Sequence, residues 1–279
     1  MRTMWWTVLA VIPLLVAGSM LSQGCQPGGT PEPKPAESGK EQAAATSEDT
    51  SAGTTEGAAE AKEGAAEAKE GAPAAAAPIP PGMEVVKIGL PKPLFAGTPK
   101  NIKPRPTLEK YQDKRLPLVA PTGTTNVALK KPVTSSDKEP IIGENELVTD
   151  GDKEGTDGSF VEYGPGLQWV QIDLGEKCEI YAVVLWHYHM EGRVYHDVVI
   201  QVADDPDFIE NVQTAFNNDF DNSSGLGIGK DLEWIEGSIG KLIKVSTAKG
   251  RYVRLYSRGN TSNDQNHYIE VDVYGKPAK

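Results

Sequence analysis

From residue 26 to residue 78 the chain contains no Phe, Trp, Tyr, Val, Leu or Ile. A segment so poor in apolar side chains cannot bury enough surface to offset the entropy of ordering it. Of 279 residues, roughly 150 are left for a folded part, near the usual size of a single domain. Cysteine is almost absent: Cys25 and Cys178 are the two in the chain. A disulfide framework is therefore not expected, and core burial or a metal must hold the fold. No window shows a long apolar stripe at the 3.6-residue period, which excludes a helical domain. The patterns G-x-S-x-G and H-E-x-x-H and the P-loop are missing too. Nothing marks out a nucleophile or a metal-assisted base. Many carboxylates are present, but none is singled out by spacing as a glycosidase pair, so a non-catalytic role is expected. Basic charge is also in short supply, with 28 Lys/Arg against 39 Asp/Glu and a net charge of −11. That sign excludes recognition of a phosphate backbone.

The two ends of the chain differ sharply. Residues 1–25 read as an export signal: Arg2, an apolar run from Met4 to Ala17 broken by Thr7 and Pro13, then Gly24-Cys25. The run is short for a membrane span, which needs about 20 residues. Leu21-Ser22-Gln23-Gly24-Cys25 resembles the lipobox of bacterial lipoproteins, although its leucine lies one position too far from the cysteine. The resemblance implies a lipid on Cys25, and a membrane-anchored protein of the cell envelope, periplasmic or on the surface. An uncleaved N-terminal anchor is the alternative. Residues 26–82 then read as a solvated, disordered tether in which the heptad EGAAEAK occurs twice, at 56–62 and 63–69.

Residues 83–122 form a Pro-rich basic arm, with eight Lys/Arg against three Asp/Glu. Seven prolines forbid a long helix or a central strand. Residues 123–279 have fifteen Lys/Arg against twenty-six Asp/Glu. The opposed charges predict that the arm docks in extended form along this acidic domain.

From residue 123 short strands alternate with turns. Val170–Leu174, Ile180–Trp186, Val198–Val202, Tyr252–Tyr256 and Ile269–Tyr274 show strand patterning and are bounded by Gly, Pro or Asp. Their number and spacing predict an all-β antiparallel sandwich or jelly roll. Cys178, within a strand-like stretch, is expected to be a buried free thiol. Several segments resemble, in order, the motifs of a discoidin (F5/8 type C) domain. They are Asn126–Ser136, Leu147–Asp152, Trp169–Gly175, Arg251–Leu255 and Ile269–Gly275. The resemblance spans about residues 124–276 and implies an eight-stranded, galactose-binding-domain-like jelly roll, similar to carbohydrate-binding modules of family 32. It also implies non-catalytic binding of carbohydrate, phospholipid head group or protein. A glycan is the favoured ligand here, and a protein partner at the cell surface is the alternative.

Two candidate sites follow. Four carboxylates lie between Asp150 and Asp157, and mutual repulsion among them would be relieved by a hard cation with oxygen ligands. By the resemblance, a structural Ca²⁺ would be held by Asp150, Asp152 and Thr156, with Glu270 closing the site from the last strand. The second site gathers the four histidines with amide, guanidinium and aromatic groups. It comprises His187, Tyr188, His189, Arg193, Tyr195, His196, Arg258, Asn260, Asn266 and His267. Aromatic faces stack on a sugar ring while amide, imidazole and guanidinium groups bond its hydroxyls. Zn²⁺ or Cu²⁺ on His187, His189 and a third histidine is a competing reading, because residues two apart on a strand face the same side. The polar loop Asn217–Gly225 is expected to line the same rim.

Overall fold

The computed structural model describes residues 78–93 and 99–279. The lipobox with Cys25 and nearly all of the tether lie outside the described residues. In chain order the strands are β1 (Met83–Val86), β2 (Leu118–Pro121), β3 (Thr125–Asn126), β4 (Val133–Ser135), β5 (Val161–Tyr163) and β6 (Gln168–Trp186). They continue with β7 (Val199–Ala203), β8 (Gln213–Asn217), β9 (Lys241–Ser257), β10 (Asn266–Tyr268) and β11 (Glu270–Pro277). A single 3₁₀ turn at Asn145–Thr149 is the one helical element among the described residues. The main sheet runs β3-β11-β6-β9-β7-β8, with β4 also on β6, and every pairing is antiparallel. The all-β antiparallel sandwich expected from the strand pattern is present. β6 and β9 form its spine, and their register shifts twice along the shared length.

The core explains why Ile180–Trp186 is apolar at nearly every position. Val183 and Leu185 point into the main cluster with Ile172, Val253, Leu255 and Val271. Ala182, Val184 and Trp186 point the other way, into a second cluster with Leu118, Ala120 and Tyr274. A strand covered on both faces reads as continuous apolar sequence instead of alternating. Cys178 is a free thiol buried in the main cluster, and burial pushes its pKa up.

The second cover comes from the arm, whose course differs from a simple extended strap. Its ends pair with each other as β1 and β2, from Met83↔Pro121 to Val86↔Leu118. The chain between them loops over the sandwich. Asn101 donates to the Gly192 carbonyl, Leu108 bridges Glu233, and Arg105 forks onto Glu233 with two bonds of 2.7 Å. The charge argument holds for Arg105–Glu233, but Glu109 on the arm pairs with Lys241 on the sandwich, the reverse polarity. Arg115 lies over the Trp186 ring at 5.5 Å, so part of its contribution is stacking.

Candidate functional site

Most of the expected histidine site turns out to be interior. His187 is fully buried: its Nδ1 is 2.7 Å from Glu236 Oε1, and its ring stacks on Tyr195 at 4.1 Å. The Tyr195 hydroxyl bonds His267 Nδ1 at 2.9 Å, and His267 Nε2 meets Glu162 at 3.2 Å. Burial, helped by the nearby Arg193 and His187, pushes His267 down to about 3, so it is neutral at physiological pH. Asn266 spends its whole amide on Ser257, Gly259, Gly164 and Gly166. Asn260 likewise closes its own loop through Asn263 and Gln265. These side chains, placed on the binding face by the sequence reading, build the interior and its turns instead. Tyr188 and Arg193 stay together, with the guanidinium 4.5 Å from the ring centroid.

The paired-imidazole metal site is not formed. β6 ends at Trp186, so the strand rule does not extend to the two histidines that follow it. His187 turns to Glu236, whereas His189 Nε2 meets the Lys153 carbonyl at 2.9 Å. Among the described residues, one group of three ligating side chains converges within 4.8 Å: Asp197, Asp219 and Asp221.

His196 and Arg258 remain at the surface, their side chains 39% and 45% exposed. They are neighbours because β7 and β9 pair, and the ladder continues beyond both strands. Arg258 N donates to the His196 carbonyl at 2.9 Å, and His196 N to the Gly259 carbonyl at 3.1 Å. Asp197 follows in the left-handed region, φ 51°, where Asp is tolerated better than most residues. The polar loop after β8 closes over this pair. The Ser223 hydroxyl donates to Asp197 Oδ2 at 2.7 Å, and Arg258 donates to the Ser223 carbonyl at 3.0 Å. Asp219 is the internal brace of that loop, accepting from Ser223 N, Ser224 N and the Ser224 hydroxyl. Burial would raise its pKa, but these hydrogen bonds outweigh burial and hold it below the usual range.

Two open clefts meet at His196 and Asp197. One is lined by Arg105, Asn218, Phe220, Asp221 and Glu233, the other by Arg258, Ser223 and Asp264. Asn218 is held by accepting from Val198 N at 2.7 Å, and its Nδ2 has no partner. Glu233 is anchored from the arm: burial would raise its pKa, but bonds from His196, Arg105 and Thr107 bring it down to about 2. Phe220 belongs to the Asn217–Gly225 loop expected at the rim, whereas Asp197, Arg105 and Glu233 were not among the expected site residues. One signal was visible, an aromatic residue within a loop of Asn, Asp, Ser and Gly. The contribution of the arm had no local signature.

Of the residues expected at the cation site, Glu270 meets the Asp150–Asp157 loop. Glu270 is fully buried under the Asp150–Asp157 loop, with Oε2 accepting from Gly151 N at 3.0 Å. Its Oε1 has no hydrogen-bond partner, and burial raises its pKa to about 9. Lys153 Nζ lies 3.9 Å from Glu270 and 3.3 Å from Asp272, supplying some counter-charge. Asp150 caps Asp152 N, and Asp152 caps Glu154 N and accepts from Ser159. Thr156 is exposed beside Ser159, and Asp150, Asp152 and Glu270 do not converge within 4.8 Å. The orphaned Oε1 fits a cation, which Glu270 would hold together with oxygens of the Asp150–Asp152 turn.

No family model matches this sequence, and the comparison with curated proteins found no match. Among solved structures the chain is similar to chitosan-binding module 1 of a chitosanase/glucanase from Paenibacillus sp. IK-5. That match is 23% identical over 54% of this chain and 99% of the module, with a TM-score of 0.41. It is also similar to the CBM32 of AlyQ in complex with 4,5-unsaturated mannuronic acid, at 19% identity over 51% and 92%, TM-score 0.38. A third similarity is to the Streptococcus pneumoniae fucose binding module SpX-3, at 22% identity over 54% and 97%, TM-score 0.39.

Proposed function

We propose that this protein is a non-catalytic glycan-binding protein whose site is the His196–Arg258 rim. One observation carries the reading: an exposed imidazole and an exposed guanidinium stand beside the Asp197 and Asp221 carboxylates, next to Phe220, which is 39% exposed. Hydroxyl groups of a sugar need donors and acceptors at close quarters, and its C–H face needs a ring. The buried His187–Glu236 pair lies in the interior, away from the reach of a bound polymer.

The rest of the chain fits this role. A lipid on Cys25 would anchor it in the cell envelope, and the tether would let the sandwich reach its ligand. A Ca²⁺ ion at Glu270 would pin the Asp150–Asp157 loop to the last strand, as a structural ion only.

Binding of the full chain to a broad glycan panel tests the proposal. Saturable binding to one glycan class, lost in the His196→Ala/Arg258→Ala double variant with unchanged melting temperature, is expected. Binding that survives the double variant, or sugar-insensitive capture of a defined protein partner through the rim, would overturn it. Turnover of chromogenic glycosides would overturn the non-catalytic part.

A further inference from the structure

A separate cleft of 210 Å³ lies where residues 109–116 of the arm pass over residues 234–244 of the sandwich. It shares no lining residue with the two clefts at His196. Its volume falls below the roughly 300 Å³ at which drug-sized sites begin, which suits a single ring. Tyr111, Leu116, Ile239 and Leu242 provide apolar wall.

The charged groups are mostly of one sign, with the Gln112 amide and the Tyr111 hydroxyl as neutral polar neighbours. Arg115, Lys241 and Lys244 line the cleft against one carboxylate, Glu109, which is committed to Lys241. Two positive charges are thus left over, in a protein whose net charge is −11. Two buried donors among the lining residues have no acceptor: Arg115 Nη1 and Trp234 Nε1. Trp234 is only 5% exposed. Buried donors are almost always paired in native proteins, and an orphan calls for a missing partner. One donor belongs to the arm and the other to the sandwich, so the site exists only when the arm is docked.

We propose that this cleft is a second ligand site that takes a compact ring bearing a carboxylate. The ring lies on the apolar wall, the carboxylate faces Arg115 and Lys244, and an oxygen accepts from the Trp234 N–H. An acidic monosaccharide and an aromatic acid share this chemistry, and the test separates them.

The full chain is titrated with glucuronate, glucose and benzoate while the indole N–H resonance of Trp234, assigned with Trp234→Phe, is followed by NMR. Glucuronate, benzoate or both shift the resonance saturably, and glucose does not. Whichever acid acts identifies the source of the ligand. Lys244→Gln, on an exposed side chain, weakens that acid about tenfold. Arg115→Lys keeps the charge but loses the planar fork, and weakens it further. No saturable shift with either acid, or equal affinity in Lys244→Gln, would overturn the proposal. Glycan binding at the His196–Arg258 rim is measured in the same variants and stays intact, so failure of one site is not read as failure of the other.

Discussion

His267 shows how a single residue can lose its expected role and acquire another. It is held neutral between Tyr195 and Glu162, with its pKa lowered to about 3 from 6.5. A histidine depressed by folding binds fewer protons in the native state than in the unfolded chain. Its contribution to stability is therefore complete above pH 6.5 and is lost as pH falls toward 3. At about 1.4 kcal/mol per unit, several kcal/mol ride on this one ring. Denaturant titrations at a series of pH values should show stability falling through that window, and His267→Gln should flatten the slope. Trp186 carries a different burden. It is fully buried, donates to the Ser238 carbonyl at 3.0 Å, and leaves no room beside Gly240. A Cβ at Gly240 would meet the ring at 2.5 Å, and φ there is +64°. Trp186→Ala should cost about 3–5 kcal/mol, and Gly240→Ala should also lower the melting temperature.

Among the elements, the arm is the least conventional. Its contacts are specific: an Arg105 fork, the Asn101 bond to Gly192, and Pro99 packed so closely that a Cβ on Gly192 would come within 2.4 Å. Gly192→Val should therefore displace residues 99–101 while leaving the sandwich folded. Limited proteolysis reads this as faster cleavage within 99–116 with an unchanged core fragment. Glu233→Ala should do the same, since it removes the anchor of both Arg105 and Thr107. The Asp150–Asp157 loop makes the opposite kind of contact, folding over a buried Glu270. If a Ca²⁺ ion completes that contact, EDTA lowers the melting temperature and Ca²⁺ restores it. Glu270→Gln abolishes the difference. An unchanged melting temperature in EDTA would overturn the Ca²⁺ proposal.

For the whole molecule, the arm cannot be separated from the domain it crosses. Without residues 78–122, Ala182, Val184 and Trp186 lose their cover from Leu118 and Ala120. Full burial of a side chain the size of Val184 or Leu118 contributes about 1.5–3 kcal/mol. A fragment of residues 123–279 should therefore melt at lower temperature and bind a hydrophobic dye that the full chain does not. The local signals of the chain were legible without coordinates. Strand period and turn chemistry predicted the antiparallel sandwich, because those signals depend on near neighbours. The buried thiol of Cys178 was legible for the same reason, whereas Glu270 under the Asp150 loop, a contact between distant segments, followed only from the family resemblance. The binding face was not. His187 and His196 are nine positions apart and chemically identical, yet one stacks under Tyr195 beside Glu236 while the other stands on the rim. Composition, period and spacing were enough to determine the sheet and the sign of the charge. Only the tertiary structure decided which polar side chains are covered, because that depends on the distant segment lying over each one, and no local pattern records it.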